Sequence, residues 1–142
     1  MDNTEQVQPE EISREQKTDH HRTVIIVGAS SGIGFESALR LLGRGYAIAN
    51  ISRTPCTLGH VKNYTADVTD GHSLEKAITQ IASESELYGL IYCAGFSMAA
   101  PIEYAEERDY RYLFEVNYFG ALRAIKSVAP HLKKRGGRIL IV

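Results

Sequence analysis

The chain has little that would staple it, steer it to a polyanion or carry it through a membrane. Only two cysteines occur in its 142 residues. Cys56 falls in a stretch with loop character and Cys93 at the end of an apolar run, so no disulfide between them is expected and a reducing compartment suffices. Neither has a neighbouring histidine to activate its thiol. The formal net charge is −1, which gives no electrostatic case for nucleic acid or an anionic membrane surface. No apolar run approaches the roughly 20 residues that span a bilayer. The first residues lack the basic-then-apolar pattern of a secretory signal, and the cytoplasm is the expected compartment. His20-His21 has no third ligand at a useful spacing, so a solvated pair is expected there rather than a metal site.

The composition is that of an ordinary globular chain with room for one domain at most. Residues 1–22 are rich in Glu, Gln, Asp, Thr and Ser, with only Met1, Val7 and Ile12 apolar. Such a segment buries too little surface to offset the entropy of ordering, and residues 1–22 are read as a flexible tail. Residues 23–142 are read as the folded unit.

What is present begins with Val24-Ile25-Ile26-Val27-Gly28-Ala29-Ser30-Ser31-Gly32-Ile33-Gly34. The apolar run predicts a strand buried on both faces, as in a parallel sheet covered by helices. Gly28 lets the chain leave the strand, while Gly32 and Gly34 carry no side chain where a phosphate and the strand must come close. A helix follows, with its N-terminal N–H groups aimed at that phosphate. Ile33, Ala38, Leu41 and Leu42, with Phe35, fit one face turned to the sheet. Gly43 and Gly45 end this helix, and Tyr46 to Ile51 reads as a second strand, completing a βαβ unit.

Further along, Val61 to Ala66 reads as a third strand followed by Asp67-Val68. A helix over Gly71 to Glu84 places Leu74, Ala77, Ile78 and Ile81 on one face. Leu87 to Cys93 reads as a fourth strand ending in Ala94-Gly95. A long helical pattern runs from Glu106 to Arg135, with Tyr112, Leu113, Val116, Ile125, Val128 and Leu132 as its apolar side, Asn117 and Gly120 inside it and Pro130 interrupting it late. Gly136-Gly137 closes it, and Arg138 to Val142 begins a fifth strand.

The glycine spacing differs from G-x-G-x-x-G. Glycine, three residues, then Gly-Ile-Gly, followed in order by Asp67-Val68, Ala94-Gly95, Asn117 with Gly120 and Gly137-Arg138-Ile139, resembles the short-chain dehydrogenase/reductase family over Thr23 to Val142. The resemblance implies a Rossmann-type, doubly wound parallel α/β sheet of strand order 3-2-1-4-5, extending here as far as the fifth strand. It implies a nicotinamide cofactor held by Gly28, Ser30, Ser31, Gly32, Ile33 and Gly34, by Asp67 and Val68 around the adenine, and by Cys93, Ala94 and Gly95.

The residues after the second strand choose between the two nicotinamide cofactors. An acidic residue would favour NAD, whereas Ser52 and Arg53 offer a hydroxyl and a guanidinium and favour NADP. Ser31 stands where NADP-preferring members often carry a further basic residue. For Asp67 the competing reading is assistance in capping the next helix, which Asp70 or Ser73 must cap. Tyr92 and Cys93 stand where the family usually has two asparagines, which puts the stability of the central sheet in doubt. Phe96, Ser97 and Met98 either face the nicotinamide and substrate or fill surface. The resemblance also makes Asn117 the catalytic-machinery residue that bends its helix and positions a water in a proton relay.

In the family the catalytic Ser follows the fifth strand, and a Tyr and Lys four residues apart follow on the next helix. None is assignable here, since Tyr88, Tyr104 and Tyr118 are followed four positions on by Tyr92, Arg108 and Leu122. The expectation is an oxidoreductase portion transferring a hydride between NADP(H) and a small carbonyl or alcohol substrate, inactive alone, and homo-oligomeric at full length. An apolar fifth-strand edge would favour association. A non-catalytic nucleotide-binding module and a regulatory interaction fragment are the alternatives. A methyltransferase reading is disfavoured, because it prefers an acidic residue where Ser52-Arg53 stand.

Overall fold

A computed structural model of the chain describes residues 22–142. Most of the expected tail, with His20-His21, lies outside the described residues. Arg22, assigned to that tail, instead opens the first strand, its guanidinium over the Tyr88 ring at 5.2 Å.

The strands are β1 (Arg22–Val27), β2 (Ala47–Ser52), β3 (Val61–Thr65), β4 (Glu86–Tyr92) and β5 (Arg138–Ile141). Between them run α1 (Gly32–Leu42), α2 (Gly71–Glu84), α3 (Glu107–Phe114) and α4 (Gly120–Leu132), with a 3₁₀ turn at Ile102–Tyr104 and a π-helical turn at Glu115–Phe119. All pairings are parallel and the order is β3-β2-β1-β4-β5. The chain therefore builds outward from β1 in one direction, then crosses back to build β4 and β5 on the other side. That reversal between β1 and β4 opens a crevice at the carboxyl ends of the strands.

The unbroken apolar run of β1 has a direct cause, because each face of the strand meets a different layer. Ile25 and Val27 join Leu74, Ile78, Ile81, Ala124 and Val128 on the α2–α4 side. Val24 and Ile26 join Ala38, Ile48 and Cys56 on the α1 side. With helices or loops on both faces, no position of β1 past Arg22 can be polar without a partner, and Val24 to Val27 are all essentially fully buried. The described part of the sheet ends on β5, whose four residues are all exposed, Ile139, Leu140 and Ile141 among them.

The expected long helix is interrupted. At Glu115–Phe119 the backbone widens into one π turn, which inserts an extra residue and rotates everything beyond it by about 100°. The apolar faces on the two sides of this turn consequently do not align. After it, Ala121, Ala124, Val128 and Leu132 are buried. Before it, Tyr112 is exposed and turns toward the crevice rather than the core. The small residues Ala121 and Ala124 allow α4 to pack closely on α2, and α4 continues through Pro130 to Leu132.

Among the glycines of the described residues, the closest backbone approach lies where α1 leaves the sheet. A Cβ built on Gly34 would stand 2.1 Å from the Gly28 carbonyl oxygen and 2.9 Å from its carbon. Both are backbone atoms, which have nowhere to go. Gly34→Ala should lower unfolding stability by about 3 kcal/mol, the upper part of the range for forcing a methyl into filled space. A urea midpoint unchanged from wild type would show that α1 can shift off β1 freely.

Candidate functional site

A cleft of about 750 Å³ opens at the carboxyl ends of β1, β2 and β4, within the range of small-molecule and cofactor sites. Its floor is the loop between β1 and α1. Gly28 leaves the strand at φ +93° and Gly32 enters the helix at φ +56°, conformations that cost a side-chain-bearing residue dearly. A Cβ on Gly28 would also press on the Ala94 nitrogen at 2.9 Å, whereas the space beside Gly32 is open. Gly28, Ser30, Ser31, Gly32 and Ile33 all line the cleft. Gly34 is buried against the strand, and its part is to let the helix approach.

Ile33 departs from its expected place. It is 62% exposed and faces the cleft instead of the sheet. As the second residue of α1 it precedes the first full turn, and the face that meets β1 is set by Gly34 and Ala38, the buried pair.

The start of α1 has no side-chain cap, although Ser31 occupies the cap position. At α2, by contrast, the Asp70 carboxylate accepts from the backbone N–H groups of His72 and Ser73 at 3.0 and 3.2 Å. The first N–H groups of α1 therefore point into the cleft with their partial positive charge unneutralised by any side chain of the helix start.

One wall comes from β2 and β3. Ser52, Arg53 and Asp67 line it, with Val68 beside them. The Ser52 hydroxyl is engaged within the protein as both donor and acceptor. It accepts from Asn50 Nδ2 at 3.1 Å and donates to the Thr54 carbonyl in a very short contact. Its proton is thus committed, and Arg53, exposed at the mouth, is the donor this wall offers to an anion.

Asp67 does not cap α2. Its Oδ1 accepts from the Thr69 N–H at 2.9 Å and the Thr69 hydroxyl at 2.8 Å, building a tight turn of its own. The Thr69 N–H, then the Thr69 hydroxyl, hold the Asp67 carboxyl below the usual carboxylate range; burial opposes them, and the Arg53 charge adds a smaller lowering. The group faces the cleft as a carboxylate and serves as an acceptor.

The opposite wall is the end of β4. Cys93, Ala94 and Gly95 line the cleft, as do Phe96 and Met98 beyond them. Burial pushes the Cys93 thiol up, away from nucleophilic character. Asn117 reaches this wall from the π turn without lining the cleft itself. Its Oδ1 accepts from the Phe96 N–H at 3.1 Å and its Nδ2 donates to the Phe96 carbonyl at 2.8 Å. Both ends of one amide hold one residue, and Gly95 passes close enough that a Cβ there would lie 3.1 Å from Asn117 Oδ1. The π turn is centred on Asn117.

Tyr92 answers the doubt about the central sheet. Its side chain is buried and its hydroxyl donates to the Val116 carbonyl at 2.6 Å, tying β4 to the π turn in place of an asparagine on the strand. Burial pushes that hydroxyl up to about 12, with Asp67 adding to the rise and Arg123 opposing it, so it stays a donor. Arg123 completes the brace, pairing with Glu115 at 2.5 Å and donating to the Val68 carbonyl at 3.4 Å.

Several residues here escaped the sequence reading. Asp109, Tyr112 and Val116 line the cleft from α3 and the π turn, with Tyr112 packed on Phe96 at a ring separation of 5.6 Å. A helical wheel without the π turn assigns Tyr112 to the core, whereas Val116 both packs against the core and lines the cleft. Asn50, 1% exposed, is the residue of β2 whose type alone signals a structural task. A polar residue inside an apolar strand must have its hydrogen bonds met, and so points to something that needs holding.

A sequence profile described as short chain dehydrogenase matches residues 22–142. The chain belongs to the short-chain dehydrogenase family. Among curated relatives in the family, it is 34% identical over 120 residues to a 3-ketodihydrosphingosine reductase of Bacteroides thetaiotaomicron, covering 82% of this chain and 45% of that protein. It is 31% identical over 134 residues to a fatty acyl-CoA reductase of Acinetobacter baylyi, covering 84% and 45%. Among solved short-chain dehydrogenase-like structures, Thermoplasma acidophilum aldohexose dehydrogenase in ligand-free form superposes with a TM-score of 0.80 at 27% identity, over 87% of this chain and 50% of that one. ElxO with NADP bound shares the fold, with a TM-score of 0.80 at 24% identity over 85% and 54%. The chain thus spans about half the length of the relatives it matches.

Tyr92→Phe should lower stability by about 1–2 kcal/mol, because the Val116 carbonyl loses its partner while the ring stays. The check is the urea midpoint, and a midpoint unchanged within error would mean that the carbonyl finds another donor.

Proposed function

We propose that this chain is the cofactor-binding portion of an NADP-dependent oxidoreductase that transfers a hydride between the nicotinamide and a carbonyl or alcohol carbon. The observation that carries the reading is the cleft itself. One crevice at the β1/β4 switch point gathers the glycine loop, a helix start without a side-chain cap, Arg53 and Asp67.

These residues fit a dinucleotide phosphate. The open space beside Gly32 and the free N–H groups of α1 suit the pyrophosphate. Asp67 suits the adenine amino group as an acceptor, with Val68 beside it. Arg53 suits a 2′-phosphate, and Ser52 holds the backbone beside it rather than donating. Ala94, Gly95 and Cys93 line the path toward the nicotinamide. The cofactor supplies the hydride chemistry, and these residues bind and orient it.

Asn117 acts through Phe96, whose backbone it fixes at the wall, and its place in a proton relay belongs to the same proposal. The reductase names of the two curated relatives favour a carbonyl as the physiological substrate. The Ser, Tyr and Lys that would complete proton transfer are assigned to no residue of this chain, so the 142 residues are expected to bind NADPH without turning over substrate. Positioned acid–base groups typically contribute 10²- to 10⁴-fold, so their loss leaves turnover roughly that far down.

Isothermal titration of the chain with NADPH and NADH tests the reading. NADPH should bind more tightly, and Arg53→Ala should weaken NADPH by roughly tenfold to a hundredfold, the worth of a charge-assisted hydrogen bond, while leaving NADH unchanged. Equal affinities in the wild type would remove NADP, and no binding of either would remove the cofactor reading altogether.

A further inference from the structure

Arg53 sits on a short arch, Arg53-Thr54-Pro55, between the end of β2 and Cys56. The arch is exposed, yet it is tied down at both ends. At its start Ser52 closes onto the Thr54 carbonyl and is itself held by Asn50. At its far end the Cys56 side chain is buried in the core on the α1 side. Both backbone groups of Cys56 are gripped by one side chain on the neighbouring strand. The Cys56 N–H donates to Asn63 Oδ1 at 2.8 Å, and Asn63 Nδ2 donates to the Cys56 carbonyl at 3.0 Å.

Asn63 stands directly opposite Asn50 in the β2–β3 register. Asn50 Nδ2 donates to Asn63 Oδ1 at 2.8 Å, and Asn50 Oδ1 accepts from the Ala29 N–H at 2.9 Å. One chain of amides therefore runs from the glycine loop, through Asn50 and Asn63, to the arch that carries Arg53. Asparagine is depleted in strands, where threonine or valine would serve the ladder better. On the exposed outer strand β3 its gain is the grip on Cys56.

We infer that Asn63 is a positioning residue that sets the preference between NADP and NAD, although it does not line the cleft. It acts through the arch, fixing where Arg53 presents its guanidinium relative to the glycine loop. The inference rests on the reading of Arg53 as the partner of the 2′-phosphate. An amide that served only the fold would support both nucleotides alike. An amide that orients the arch supports only the nucleotide carrying a group for Arg53 to meet.

The test is titration of the full 142-residue chain with NADPH and with NADH, for wild type, Arg53→Ala and Asn63→Ala. Backbone amide exchange at Cys56 is followed alongside. Asn63→Ala should weaken NADPH by roughly threefold to tenfold, part of what the charge-assisted bond supplies, leave NADH within error and speed exchange at Cys56. Should that variant not fold, Asn63→Gln, which keeps the amide but displaces it by one methylene, is read in the same way. Equal losses for both nucleotides, or no loss for either, overturn the inference. A wild type without NADPH preference, or an Arg53→Ala variant that binds NADPH normally, instead overturns the reading of Arg53 and the inference with it.

Discussion

The contact between Gly34 and the Gly28 carbonyl fixes the rest of the site. Where β1 ends, α1 begins so close beneath it that no side-chain carbon fits between the two backbones. The loop between them is spliced to its neighbours on both sides, with the Gly28 N–H donating to the Ile51 carbonyl at 2.9 Å and the Cys93 N–H donating to the Val27 carbonyl at 2.8 Å. The exits of β2 and β4 are therefore held at set distances from the helix start. A pocket whose floor is backbone and whose walls are strand ends needs little ordering when a ligand arrives, and ordering is a main cost of binding.

The second brace runs through the π turn. One extra residue at Glu115–Phe119 separates two tasks that a regular helix would have to share. The segment before it turns Tyr112 toward the cleft, the turn itself brings Val116 to the cleft wall, and the segment after it buries Val128 and Leu132. At the turn itself Asn117 takes hold of Phe96, and Tyr92 takes hold of Val116. Gly120 is what admits the phenol, since a Cβ there would collide with the Tyr92 hydroxyl and press on Val68 at 3.1 Å. The tyrosine on β4 and the glycine on α4 thus form one packing unit.

Those two braces also explain what could be read from the chain as written. The strands declared themselves because β1, β2 and β4 are covered on both faces and cannot tolerate unpartnered polar residues. Glycine spacing placed the cleft floor for the same reason, since Gly28, Gly32 and Gly34 each answer a backbone constraint that no other residue meets as well. The phase of the long helix was not legible, because a π turn arises from tertiary demands at Asn117 and leaves the apolar periodicity of each half intact. Ile33 was misplaced because its spacing fits the sheet-facing stripe while its position in the first turn overrides it. Tyr92 looked like a loss only because the partner it needs, the Val116 carbonyl, lies 24 positions away.

The amides behind the Arg53 arch show why a buried polar residue is tolerated among the alanines and isoleucines of β2. Burying an unpartnered amide costs on the order of 1–3 kcal/mol, but Asn50 uses its oxygen on Ala29 and its nitrogen on Ser52 and Asn63. With every one of these partners met, the desolvation cost is offset and the geometry is specific. A guanidinium in solvent gains little from a distant anion, because salt screens exposed charges beyond about 8–10 Å. Its contribution depends on being held within hydrogen-bond reach of the anion when the cleft is filled. Rigidity in the arch, supplied from residues behind the wall, is therefore the physical requirement for any discrimination that Arg53 provides.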